Sequence, residues 1–221
     1  YSDLIGVDEK HIFKTFFEMA VTSNLQKECM ETVVKLSYKV IGEELVNVCI
    51  DGYVSHNDHR FGDILVLLGS EYIGDLTQIQ ALLKYVHDSN PNFFVEILRS
   101  FHPSILRNSL LAESCCLTLK SYLVHQSLLE PVIECLCLYS DYITEDIIFE
   151  CANISSELNL SLATKVAQLC AKACINRKPS FNSEVLDLFC KKEHRTHPIV
   201  ELLRNTRFEF DPEAAPILIA K

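Results

Sequence analysis

Apolar residues recur along most of this chain with the period of a helix and seldom with the alternation of a strand. Ile12, Phe13, Phe16, Phe17 and Ala20 form one stripe, over a predicted helix at 8–23. Asn24 can cap a second helix, in which Cys29, Met30, Val33, Val34, Leu36 and Val40 keep the same period up to Gly42. A third helix is predicted from Glu43 to Val54, frayed at Gly52, followed by a polar loop from Ser55 to His59. The run Ile64–Leu68 taken alone fits a buried strand, but no partner strand flanks it, so 61–72 is read as helix despite Gly62 and Gly69.

Starts and stops are clearer downstream. Asp75 can cap a helix reaching Val86, and Asn90-Pro91 opens one that carries Phe93, Phe94, Ile97, Leu98 and Phe101. His102-Pro103-Ser104 breaks the chain and begins a helix over 105–123; Ser127 opens another, with Pro131 near its first turn. Thr144 precedes Glu145 and Asp146, which complement a helix N-terminus; Ser161 caps a helix to Cys174. Asn182 or Ser183 opens the next, and His197-Pro198 the last, ending at Arg204. Residues 207–221, interrupted by Pro212 and Pro216 and carrying Ile217-Leu218-Ile219, read as an extended tail.

These elements make about twelve helices in six pairs. The pairs open near Asp8, Glu43, Asp75, Ser104, Thr144 and Asn182, in steps of 35, 32, 29, 40 and 38 residues. Such spacing and short connections predict an all-α fold of stacked antiparallel hairpins, an irregular right-handed α-α superhelix. One domain over 1–206 is expected, with the tail beyond it. No linker-like stretch divides the chain, and Ser55–His59 is the best place for a weak boundary.

Hydrophobic residues at 48% and charged residues at 23% exclude disorder as the main state. No apolar run approaches the roughly 18–20 residues that span a bilayer. Tyr1 in place of Met predicts a piece of a longer protein. The net charge of −10 disfavours nucleic acid, whose phosphates call for clustered Lys and Arg. The best basic candidates are Lys191, Lys192, Arg195, Arg204 and Arg207, which a solvated helix end explains better than a phosphate-binding patch does. Among ten cysteines, Cys49, Cys115, Cys116, Cys135, Cys137, Cys151 and Cys170 sit in apolar stretches, as reduced core residues do. An intracellular setting, cytoplasmic or nuclear, follows as an expectation.

At the level of whole pairs the chain resembles α-solenoids of the tetratricopeptide, pentatricopeptide or HEAT/armadillo kind over about residues 8–204. Leu45-Val46-Asn47-Val48-Cys49-Ile50-Asp51-Gly52-Tyr53 is similar to the first helix of a pentatricopeptide unit, and Phe16-Phe17-Glu18-Met19 to the end of one. The uneven steps suit HEAT-like or irregular repeats better. The resemblance implies a face that holds a protein or peptide; its pentatricopeptide variant implies single-stranded RNA. No binding residue carries over from either.

No phosphate loop, hydrolase elbow or HExxH motif is present. Three constellations contain metal or nucleophile chemistry. Cys170 and Cys174, with Cys190 and His194, are two i, i+4 pairs that would form a tetrahedral zinc site if their helices were antiparallel neighbours. His197 is a spare ligand. His56, Asp58 and His59 share one loop and combine imidazole with carboxylate. Cys115, Cys116, Cys135 and Cys137 are thiols among leucines. In each case a core or surface explanation needs less than a site does. Phe93, Phe94 and Phe101, and likewise Phe16 and Phe17, fit core packing better than base stacking. The expectation is therefore a non-enzymatic protein-interaction scaffold, with no catalytic, cofactor-binding or metal residue assigned and no cofactor. Its partner would be a peptide or subunit, in a homo- or hetero-oligomer, with no membrane. Single-stranded RNA binding is the alternative, and an enzyme on an unrecognised helical fold comes third.

Overall fold

A computed structural model describes residues 7–23, 25–56, 58–69, 76–175, 177–192 and 195–204. The predicted tail at 207–221 lies outside them, as do Asn24, Asp75 and His194. The fold is all-α: among the described residues there are thirteen α-helices and no strand.

The chain divides into two compact units, Tyr1–Asn108 and Ser109–Lys221. The N-terminal unit contains α1 (Val7–Thr22), α2 (Lys27–Ile41), α3 (Glu44–His56), α4 (His59–Gly69), α5 (Thr77–Ser89), α6 (Pro91–Ser100) and the single turn α7 (His102–Ile105). The C-terminal unit contains α8 (Ser109–Tyr122), α9 (Leu129–Leu138), α10 (Glu145–Ile154), α11 (Leu160–Cys174), α12 (Pro179–Lys192) and α13 (Thr196–Arg204), with 3-10 turns at Gln126–Leu128, Ser140–Tyr142 and Ser155–Glu157. The division falls at 108/109, and Ser55–His59, the best weak place for a boundary in the sequence, lies inside the N-terminal unit. That loop is shorter than its polarity implied, because Ser55 and His56 finish α3 and His59 begins α4.

Several predicted starts move by a few residues, each for a local reason. The helix expected over 105–123 is two helices, separated at Leu106–Asn108. Asn159, not Ser161, caps α11, its Oδ1 accepting from the Leu162 N–H at 2.9 Å. Helix α12 begins at Pro179, which needs no N–H in a first turn; Asn182 is buried inside the helix. The Asn90-Pro91 start is as read, with Asn90 Oδ1 accepting from Phe93 N–H at 3.1 Å. Gly42 closes α2 at φ 69°, where L side chains are strained. Helix pairs therefore begin at Val7, Glu44, Thr77, Ser109, Glu145 and Pro179, in steps of 37, 33, 32, 36 and 34 residues.

Packing follows one scheme inside each unit. Many helices touch a sequence neighbour, and from α2 to α6 and from α8 to α13 each helix also packs on the one two places along. In the N-terminal unit α1 pairs with α2 and α3 with α4, while α4 packs on both α2 and α6, and α3 on α5. In the C-terminal unit α10 lies against α8 and α12, and α11 against α9 and α13. Helix α4 shows why its glycines do not break it. A Cβ on Gly62 would sit 3.0 Å from both Phe93 and Tyr53, and one on Gly69 2.7 Å from Ser100. They are points of close approach between α4 and its neighbours α3 and α6, so the helix is stabilised by tertiary contact despite its weak propensity.

Candidate functional site

The described residues do not bring the four-ligand zinc arrangement together. It required α11 and α12 to be adjacent, but α12 packs chiefly on α10, and α11 on α9, α10 and α13. Cys170 and Cys174 are fully buried, and Cys170 Sγ donates to the Ile148 carbonyl on α10 at 3.9 Å. Among the described residues no group of three His, Cys, Asp or Glu side chains could hold a metal ion; His194 lies outside them. His197 is exposed and 3.3 Å from the Thr164 hydroxyl through Nδ1, away from the thiols. Cys115, Cys116 and Cys135 are buried and Cys137 half-buried. Loss of water pushes Cys115, Cys116, Cys151 and Cys174 up to about 12, and raises Cys49, Cys137 and Cys170 as well. Protonated, enclosed thiols are poor nucleophiles and poor ligands.

The histidine loop resolves into something else. His56 and His59 are both exposed, and Asp58 is held by a residue the sequence reading passed over, Arg60. Arg60 Nε donates to Asp58 Oδ1 at 2.9 Å and Nη2 to Oδ2 at 2.6 Å, a two-pronged pair. Those bonds hold the Asp58 carboxyl below the usual carboxylate range. Asp58 Oδ1 also accepts the Arg60 N–H at 3.0 Å, satisfying an open amide at the start of α4. Arg60 Nη1 reaches further, to the Thr22 carbonyl at the end of α1, 3.2 Å away. One guanidinium thus fastens the end of α1 to the start of α4.

That fastening shapes a notch. An open cavity of about 520 Å³ lies where the α1–α2 turn meets α4 and α6. Its apolar lining is Val21, Leu25, Met30, Ile64, Val66 and Leu67, with Leu25 exposed and Met30, Val66 and Leu67 half-buried. The rim carries Arg60, Asp63 and Glu96. Asp63 and Glu96 are exposed, while the Arg60 charge is already matched by Asp58.

The same hairpin shows a second apolar surface. The stripe expected on α1 splits. Phe17, Ala20 and Val21 face the core, whereas Ile12, Phe16 and Met19 are 64%, 51% and 63% exposed. These three are spaced i, i+4, i+7 and share one face. Leu36 on α2 is also half exposed. Phe93, Phe94 and Phe101 are buried, as core packing required.

The basic candidates are largely engaged. Lys191 pairs with Asp187, Arg204 with Glu201 at 3.5 Å, and Arg195 donates to the Leu158 and Ser155 carbonyls at 2.8 and 2.9 Å. The Lys192 side chain and Arg207 lie outside the described residues. No helix among the described residues is long and apolar enough to cross a membrane. No protein-family model, curated protein or solved structure matches the chain.

Proposed function

We propose that this chain is a helical-hairpin scaffold that binds a protein partner, a peptide, helix or subunit, and performs no chemistry of its own. The helix order carries this reading. Six pairs begin at steps of 32 to 37 residues, and within each unit helices also pack on the helix two places along. Hairpin stacks of this kind act by presenting a preformed surface. The α1–α2 hairpin supports the reading, because it leaves Ile12, Phe16, Met19, Leu25 and Leu36 in water. Exposed apolar side chains grouped on one element are costly unless something covers them. Within each unit we infer a stack of the HEAT-like or irregular kind. Ten free thiols support an intracellular setting, cytoplasmic or nuclear.

Single-stranded RNA is the weaker reading. Of the basic candidates, Lys191 and Arg204 are paired with carboxylates and Arg195 is occupied by backbone carbonyls, so these three offer little to phosphate. Affinity capture from cell extract with the full chain, with and without nuclease, separates the two. The scaffold reading expects a stoichiometric protein that survives nuclease. Loss of every partner after nuclease would overturn it in favour of RNA.

A further inference from the structure

Resting on the scaffold reading, we infer that the notch beside Arg60 takes an aliphatic side chain from a protein segment that carries Lys or Arg next to that anchor. The floor sets the first half of this statement. Val21 and Ile64 are buried beneath it, and Leu25, Met30, Val66 and Leu67 are partly open to water, so the surface gains by excluding water and has no polar group to satisfy there. Met30 adds a side chain that can re-pack around anchors of different shape.

The rim sets the second half. Among the described residues its charged groups are Asp63, Glu96 and Arg60. Arg60 is bound through two nitrogens to Asp58 and through the third to the Thr22 carbonyl, so its charge is neutralised and its position fixed. What remains at the edge is two exposed carboxylates on two different helices, α4 and α6. They sit beside an apolar floor, in a chain whose net charge is −10. An acidic partner would be repelled; a basic one is drawn in and held in register by two charges about the anchor. Arg60 belongs to the wall, because the same bonds that consume its charge tie the end of α1 to the start of α4.

The test uses the full chain and a fluorescent peptide of about 14 residues, with Leu at i, i+3, i+4 and i+7 and Lys between them. A second peptide has Glu in place of every Lys, and a third has Ser in place of every Leu. Anisotropy is read with wild type, with the Asp63→Lys/Glu96→Lys double variant and with Leu25→Ser; all three positions are exposed, and thermal unfolding checks that the fold persists. We expect the Leu/Lys peptide to bind and the Leu/Glu and Ser/Lys peptides to bind at least several-fold more weakly. The double variant should lose about tenfold for Leu/Lys and gain for Leu/Glu, a reversal that general attraction to an acidic protein would not produce. Leu25→Ser should lose about threefold. Binding of Leu/Lys that the double variant leaves within about twofold overturns the notch and leaves the scaffold reading standing, since the peptide then docks elsewhere. Absence of any Leu/Lys binding overturns the inference outright; the scaffold reading falls only if capture also yields no nuclease-resistant partner.

Discussion

Helices α1 and α11 are nearly equal in length and similar in apolar content, yet they are used differently. Helix α11 buries Leu162, Ala163, Val166, Ala167, Leu169, Cys170, Ala171 and Cys174, more than half of its 15 residues. It is flanked by α9, α10 and α13. Its buried positions include three alanines at i, i+4, i+8 and two cysteines at i, i+4, all on one face where small side chains let a neighbouring helix approach closely, with Leu162, Val166 and Leu169 on the adjoining face. Helix α1 packs chiefly on α2 and offers Phe, Ile and Met, which are large; of these only Phe17 is fully covered. The contrast teaches that a buried face of small residues beside one of large residues marks a helix enclosed by its own chain. Large residues on two faces of a helix flanked chiefly by one neighbour mark one with surface left over.

The largest effect expected from that contrast lies within α1. Phe16 and Phe17 are adjacent, about 100° apart on the helix, and only Phe17 is enclosed, at 0% exposed. Phe17→Ala should cost about 3–5 kcal/mol of stability through lost burial and the cavity left behind. Phe16→Ala should stay within about 0.5 kcal/mol. Chemical denaturation of the two variants reads the difference directly. Equal losses would mean that Phe16 is covered after all, and the surface reading of α1 would fail.

Much of this was legible before any coordinates. Helical period, the Asn90-Pro91 start, the Gly42 stop and the burial of most cysteines are local or compositional properties. Each therefore shows in a few residues. Which of Phe16 and Phe17 turns inward is not local, since both fit an amphipathic stripe and the choice depends on what packs against α1. The zinc arrangement that the spacing allowed is a case of the same kind. The i, i+4 spacing of Cys170 and Cys174 is real, but sequence order does not say that α12 leaves α11 and lies on α10. Arg60 was missed because its signal is the Asp58-x-Arg60 spacing alone, which is common in loops; its reach to Thr22 depends on the fold.

Overpacking is the second way to test the comparison, with a smaller effect. Ala167 on α11 is fully buried, so Ala167→Leu should destabilise by about 1–3 kcal/mol, whereas the same enlargement on an exposed position of α1, Thr15→Leu, should change little. Gly52→Ala belongs with the first of these: its Cβ would lie 2.5 Å from the Phe61 ring, and one of the two must move. Urea midpoints measured side by side decide the matter. Tolerance of Leu at 167 would show that α11 is less tightly enclosed than its burial indicates.

Removing an arginine that ties loops to carbonyls should cost less again. Arg195 satisfies the Ser155 and Leu158 carbonyls after α10, and Arg60 the Thr22 carbonyl after α1. Arg195→Ala should lose about 1–3 kcal/mol, because two partly buried acceptors go unpaired at once. Arg60→Ala loses one such bond and one partly exposed ion pair, for about 1 kcal/mol. Arg60→Lys is the finer probe, since it keeps the charge and cannot reproduce the two-pronged contact with Asp58. If Lys restores full stability, the geometry assigned to Arg60 is unnecessary.

Thiol accessibility tests the same contrast with no cost in stability. Cys29 is exposed on α2, while Cys170 and Cys174 are closed inside α11. A thiol reagent at pH 8 should therefore modify Cys29 quickly in the folded chain. Cys115, Cys116, Cys151 and Cys174, pushed up to about 12 by burial, should react only through opening of the fold. Their rate should track denaturant concentration while that of Cys29 does not. The Leu/Lys peptide of the notch experiment adds a last comparison. Met30, next to Cys29 in sequence, lines the notch, so a bound peptide should slow modification at Cys29 and leave the α11 thiols at their opening rate. Slowing at both would point to a general tightening of the fold and away from local cover on the α1–α2 hairpin.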